Sequence, residues 1–167
     1  MALLSFAMPQ LTHARAVGDL FTCDGTKYQI TSVANGNLTV GIYSTSLTGD
    51  VSFPATVADS TGTVFKVTAL LNRTLKQDPA CRQITSITLP EGVTTFYEWS
   101  LESCSRLTTL HLPSTCGWPA TNNVNYPALT TITVAEAIHI LRWWTAIRCT
   151  AKTEPSCTFT TKPTGQQ

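Results

Sequence analysis

The sequence predicts a mostly β protein: a short solenoid of stacked repeats with an antiparallel β cap at its N-terminal end and a helical cap at its C-terminal end. Three observations predict it. A six-residue phrase recurs three times, as Ile84-Thr85-Ser86-Ile87-Thr88-Leu89, Leu107-Thr108-Thr109-Leu110-His111-Leu112 and Leu129-Thr130-Thr131-Ile132-Thr133-Val134, at offsets of 23 and 22 residues. The chain before it alternates strand-like runs with turn dipeptides. The chain after it changes to apolar residues at helical spacing.

Each copy fits L-x-x-L-x-L, and the first two are followed by Pro90 and Pro113. That phrase at that period is the signature of a leucine-rich repeat. Composition agrees. The 167 residues suit one domain or one small domain with a cap. Thirty of them are threonine, which favours pleated, half-buried surfaces. Charged residues make up 13%, against about 25% in typical domains. The net charge is +1 with no basic stripe, which argues against nucleic acid as a partner. No apolar run reaches the roughly 18 residues that a transmembrane helix needs.

The elements follow in order. Residues 1–16 contain the apolar stretch MALLSFAM and then Ala14-Arg15-Ala16, which reads as a signal-peptide remnant without its basic start, or as an N-terminal tail. Cys23 follows Leu20-Phe21-Thr22, which lacks the small residue expected before a lipidated cysteine. Residues 17–66 form the expected β cap. Their turns are Asp24-Gly25, Asn35-Gly36-Asn37, Thr48-Gly49-Asp50 and Ser60-Thr61-Gly62, with Val51-Ser52-Phe53-Pro54 as a short strand closed by proline. A repeat array needs such a cap because its first repeat would otherwise expose core. The repeats are expected over 67–134. Cys81 and Cys104 keep register three residues ahead of Ile84 and Leu107, and Val67-Thr68-Ala69-Leu70 pairs with Val93-Thr94-Thr95-Phe96 as a second recurring phrase. Residues 135–149 place Ile138, Leu141 and Trp144 at helical intervals and predict the helical cap. Residues 150–167, rich in Thr, Lys and Pro without a pattern, predict a flexible tail.

The stretch from Cys81 to Pro113 resembles the BspA-like, or treponemal-type, leucine-rich repeat. Its Leu-Pro strand ending, its V-T-x-I slot filled by Val93 to Phe96, and its cysteine ahead of the next strand carry the resemblance. The leader from Phe21 to Thr68 is similar to the hairpin leader of such proteins, so the likeness spans about 19–134. The resemblance implies a bacterial protein that is exported, secreted or on the cell surface. It implies adhesion or host interaction, with a protein or glycan on a host or microbial surface as partner.

In the repeated phrase the three apolar positions point inward, and the residues between them form solvent-facing columns. These are Thr85, Thr108 and Thr130; Ser86, Thr109 and Thr131; and Thr88, His111 and Thr133. The candidate ligand-binding residues are therefore Thr85, Thr88, Thr108, His111, Thr130 and Thr133. Two readings fit this hydroxyl-rich face: exposed strand residues that stabilise the sheet through cross-strand contacts, or a flat polar surface for a protein or glycan. A structural spacer in the envelope is the third role that the architecture fits.

Other residues point away from chemistry. The six cysteines include no C-x-x-C, and with the histidines they lack zinc-site spacing, so no metal or cofactor is expected. A Cys81–Cys104 bridge is disfavoured because in-register side chains on parallel rungs point the same way. Pairing among Cys116, Cys149 and Cys157 stays open for an exported chain. No nucleophile elbow, P-loop, G-x-G-x-x-G or H-E-x-x-H is present, and the ten acidic residues are scattered, so no catalytic residues are assigned. Trp143 and Trp144, beside Arg142 and Arg148, fit either a contact surface or a cover for the last repeat. Asn37-Leu38-Thr39 and Asn72-Arg73-Thr74 match glycosylation sequons, relevant only to a eukaryotic secretory route.

Overall fold

A strand that buries every second residue must find a second layer to cover it, and here two sheets cover each other. The computed structural model describes residues 15–34, 36–71, 79–97, 100–101, 103–117, 128–135 and 158–161. The protein is mostly β. The first sheet holds β1 (Leu20–Cys23), β2 (Thr26–Ala34), β3 (Asn37–Thr45), β5 (Thr56–Ala58), β6 (Val64–Leu70) and β8 (Thr95–Phe96). The second holds β4 (Gly49–Ser52), β7 (Ile84–Thr88), β9 (Thr109–Leu112), β10 (Thr131–Val134) and β11 (Thr158–Thr161). A 3₁₀ turn at Pro79–Gln83 leads into β7 and buries Cys81.

The first sheet begins as expected. Asp24 and Gly25 take φ of 46° and 73°, as a tight hairpin with two left-handed central residues requires, and β1, β2 and β3 pair antiparallel. The cap is not wholly antiparallel, however. β6 pairs β3 in parallel, and beyond the cap β8 pairs β6 in parallel, with Ala69 opposite Thr95 and Leu70 opposite Phe96. The two V-T phrases are thus neighbouring rungs of one face.

The second sheet is entirely parallel, in the order β11-β10-β9-β7-β4. Ile87 sits opposite Leu110, and Leu110 opposite Ile132. The three recurring phrases therefore stack in the register that their period dictates, and two further strands extend them. β4, expected within the cap sheet, instead pairs β7 with Val51 opposite Ile87. Its Val-Ser-Phe-Pro ending matches Ile87-Thr88-Leu89-Pro90, so Val51 and Phe53 continue the apolar columns and bury accordingly. β11 falls in the expected flexible tail, yet Thr158–Thr161 pairs β10 in parallel with Phe159 opposite Ile132. Strand pairing of consecutive backbone amides overrides the weak local pattern there.

One continuous core lies between the sheets, running from Tyr28 and Phe65 at the cap to Leu129, Ile132 and Val134. All nine inward positions of the three phrases are in it. The expected helical cap over 135–149 lies outside the described residues except for Ala135, whose amide donates to Leu112 O at 3.1 Å. Of the expected signal remnant over 1–16, only Arg15 and Ala16 are described. Arg15 pairs with the buried Asp59 carboxylate at 2.5 Å, and the Ala16 amide donates to Asp19 Oδ2 at 2.9 Å.

Candidate functional site

The parallel sheet brings Thr85, Thr88, Thr108, His111, Thr130 and Thr133 onto one outward face. Each stands beside an inward apolar neighbour, because side chains alternate along a strand. Thr88, His111 and Thr133 are half-buried and lie directly opposite one another on β7, β9 and β10. The column continues to Ser52 at one end, and at the other the backbone of Thr160 pairs in register with Thr133.

The outer column is more exposed and is tied together from within. Thr85 Oγ1 donates to Asp50 Oδ1 at 2.9 Å. Thr108 Oγ1 donates to the Thr85 carbonyl at 3.0 Å, and Thr130 Oγ1 donates to the Thr108 carbonyl at 3.2 Å. The backbone amides of Thr108 and Thr130 reach the same two carbonyls. With their protons committed, these three hydroxyls offer a ligand acceptor lone pairs. Asp50 adds one negative charge at the first rung, which the sequence placed in a turn.

At the other margin the face opens into a groove of about 390 Å³ lined by Thr88, Glu91, His111, Pro113, Thr133 and Ala135, among others. His111 Nδ1 hydrogen-bonds Thr133 Oγ1. Glu91 reaches across one rung, accepting from the Ser114 amide at 3.1 Å and the Ser114 hydroxyl at 3.0 Å. The Glu91 carboxylate in this groove is therefore bound to Ser114.

Four of the six thiols lie among the described residues, and three of these are shifted away from the reactive thiolate. Cys81 and Cys104 are buried in the core and stand as thiols one rung apart. Burial, and then contact with Cys81, pushes the Cys104 thiol well above the ordinary range. Burial raises Cys116 to about 11, and burial followed by the Asp24 carboxylate raises Cys23. Nucleophilic cysteines need the opposite shift. Cys149 and Cys157 lie outside the described residues, as do Trp143, Trp144 and Asn72. Among the described residues no group of three or more His, Cys, Asp or Glu side chains is placed to hold a metal ion. None of their helices is long and apolar enough to cross a membrane.

Sequence reasoning missed Asp50, Ser52 and Glu91. The proline after Phe53 was the available signal for the first two, since it repeats the strand ending of the later rungs. Glu91 and Ser114 carry no local signal; they meet only because the rungs stack.

The fold is similar to that of solved leucine-rich repeat proteins. One, from Bacteroides ovatus, is 20% identical, with a TM-score of 0.55 over 68% of this chain and 31% of its own. Another, from Bacteroides capillosus, is 14% identical, with a TM-score of 0.51 over 86% of this chain and 99% of its own. This chain thus spans about a third of the length of the first. At these identities the likeness is one of fold. No protein-family model matches the chain, and no curated protein does.

Proposed function

We propose that this chain is a non-enzymatic leucine-rich-repeat solenoid of the BspA-like type, exported to the cell surface or beyond, that binds a protein ligand in adhesion or host interaction. The observation that carries the reading is the parallel-sheet face. Its backbone is fixed by a continuous ladder, its outer hydroxyls are pre-oriented by hydrogen bonds to the next rung, and its side chains are nearly all uncharged. A surface ordered before binding loses little conformational entropy when a partner docks, which favours recognition through many small polar contacts. The bacterial leucine-rich repeat neighbours support the scaffold.

Thr85, Thr88, Thr108, His111, Thr130 and Thr133 form the proposed contact surface, with the groove beside His111 as its deepest part. Five short rungs make a small platform, so a single copy is expected to bind weakly and to gain strength from multivalent display on a surface. The test is binding of the purified chain to a panel of immobilised host extracellular-matrix proteins, alongside the Thr108→Glu/His111→Glu double variant. Thr108 is exposed and His111 half-buried on the outward face, and circular dichroism checks that the variant folds. Binding that the double variant abolishes is the expected result; binding that it leaves unchanged removes this face from consideration.

A further inference from the structure

The sheet opposite the hydroxyl face carries a second, chemically different surface. We propose that the outward side of β3, β6 and β8 is a platform for a neutral polysaccharide, with Tyr43 and Tyr97 stacking on sugar rings. This proposal does not depend on the protein-binding role of the other face.

Three observations lead to it. Tyr43 and Tyr97 are 37% and 46% exposed, although each follows a fully or nearly buried residue, Ile42 or Phe96. The backbone puts them in one row. The Leu71 amide donates to Ile42 O at 3.2 Å, and the Tyr97 amide donates to Leu70 O at 3.0 Å, so Tyr43, Leu71 and Tyr97 lie side by side just past the paired residues. Adjacent strands are about 4.8 Å apart, which separates the two tyrosine backbones by about 9.6 Å. That distance is close to one disaccharide along an extended chain, so both rings can meet alternate sugars of the same polymer.

The ground between the rings suits such a chain. Leu71 lies flat because Gly41 makes room for it: a Cβ on Gly41 would sit 2.6 Å from Leu71 Cδ2 and Cγ. Beside the tyrosine row runs a row of small residues in register, Gly41 opposite Ala69, Ala69 opposite Thr95 and Thr95 opposite Gly117. Gly41 and Ala69 in that row are buried and Thr95 is half-buried, so the accessible surface here is carried by the tyrosine row. The single charged residue of β3, β6 and β8 is Lys66, which sits opposite Thr39 toward the other end of β6. The exposed tyrosines and the strand hydroxyls of β3, β6 and β8 complement the apolar ring faces and hydroxyls of a neutral sugar. Among the described residues of these three strands a single charge is present, too little to match an acidic polymer.

Affinity electrophoresis tests the proposal, with the full chain run through native gels cast with xyloglucan, mixed-linkage β-glucan or galactomannan. The expected result is retardation by at least one polymer, weakened about tenfold by Tyr43→Ala or Tyr97→Ala. Tyr97→Phe should retain binding because the ring remains, and circular dichroism should show every variant folded. The Thr108→Glu/His111→Glu variant should migrate like the parent, so loss of the protein-binding reading leaves this one standing. A folded parent that no polymer retards, or retardation that survives the double Tyr→Ala variant, overturns the proposal.

Discussion

Replacing Leu110 by alanine tests the stacked-rung architecture at its centre. Leu110 is fully buried, and its partners in the ladder are Ile87 on one side and Ile132 on the other. The substitution deletes three buried carbons, worth about 2.4 kcal/mol at roughly 0.8 kcal/mol each. Neither neighbour can move in to fill the gap, because the backbone on both sides is held by interstrand hydrogen bonds, and the residual cavity adds about 1–2 kcal/mol. The expected loss is therefore about 3–4 kcal/mol, a large part of the 5–15 kcal/mol available to a typical domain. Urea unfolding followed by circular dichroism reads it as a lower midpoint with an unchanged slope. Thr109→Ala, on the same strand but outward-facing, provides the comparison and should cost under about 1 kcal/mol. If Leu110→Ala costs no more than Thr109→Ala, the inward columns do not form the core described above.

Two pH effects follow from groups in the cap. Burial raises the Asp59 carboxyl, but hydrogen bonds from the Thr61 side chain and from the Thr61 and Thr63 amides, with the charge of Arg15, outweigh it and hold the carboxyl below its ordinary value. The unfolded chain then takes up the proton first, so this stability is complete above about pH 4 and is lost as the pH falls below it. Asp59→Asn should flatten the acid limb of a stability–pH curve, and an unchanged limb would exclude the assignment. Burial raises the Tyr28 hydroxyl from 10.0 to about 12. Its contribution is complete below about pH 10 and is lost as the pH rises toward the folded value. Tyr28→Phe should be less sensitive than the parent between those limits in thermal melts; equal sensitivity would place the alkaline transition elsewhere.

What was legible in the sequence tracks how local the determining interaction is. The strands at Ile84, Thr109 and Thr131, and the register between them, follow from an apolar phrase at a fixed period, and so do the side-chain columns of the candidate site. β4 was half legible: Val51, Phe53 and Pro54 keep the inward alternation and the ending, but Thr48 stands where an aliphatic residue opens the other copies. β11 was not legible, because Ser156 and Thr161 replace both outer apolar positions and leave Phe159 alone. The parallel pairing of β3 with β6 and the clasp between Glu91 and Ser114 join residues far apart in sequence, and no local pattern encodes either. Of the hydroxyl columns, Thr85, Thr108 and Thr130 are exposed while Thr88, His111 and Thr133 are half-buried, and the sequence did not show that the outer one spends its protons on the neighbouring rung.

That outer column has a direction. Thr130 leans on Thr108, Thr108 on Thr85, and Thr85 on Asp50, always toward the N-terminal end. Fraying from the C-terminal end gives up one donor at a time and leaves each remaining hydroxyl still seated. Losing the first strand instead takes away the carboxylate on which the series ends. The ladder is thus a one-way ratchet, easier to unzip from the far end than to undermine from the near one. Pulled by its two ends in a force experiment, the molecule should surrender its last rungs first and its cap last.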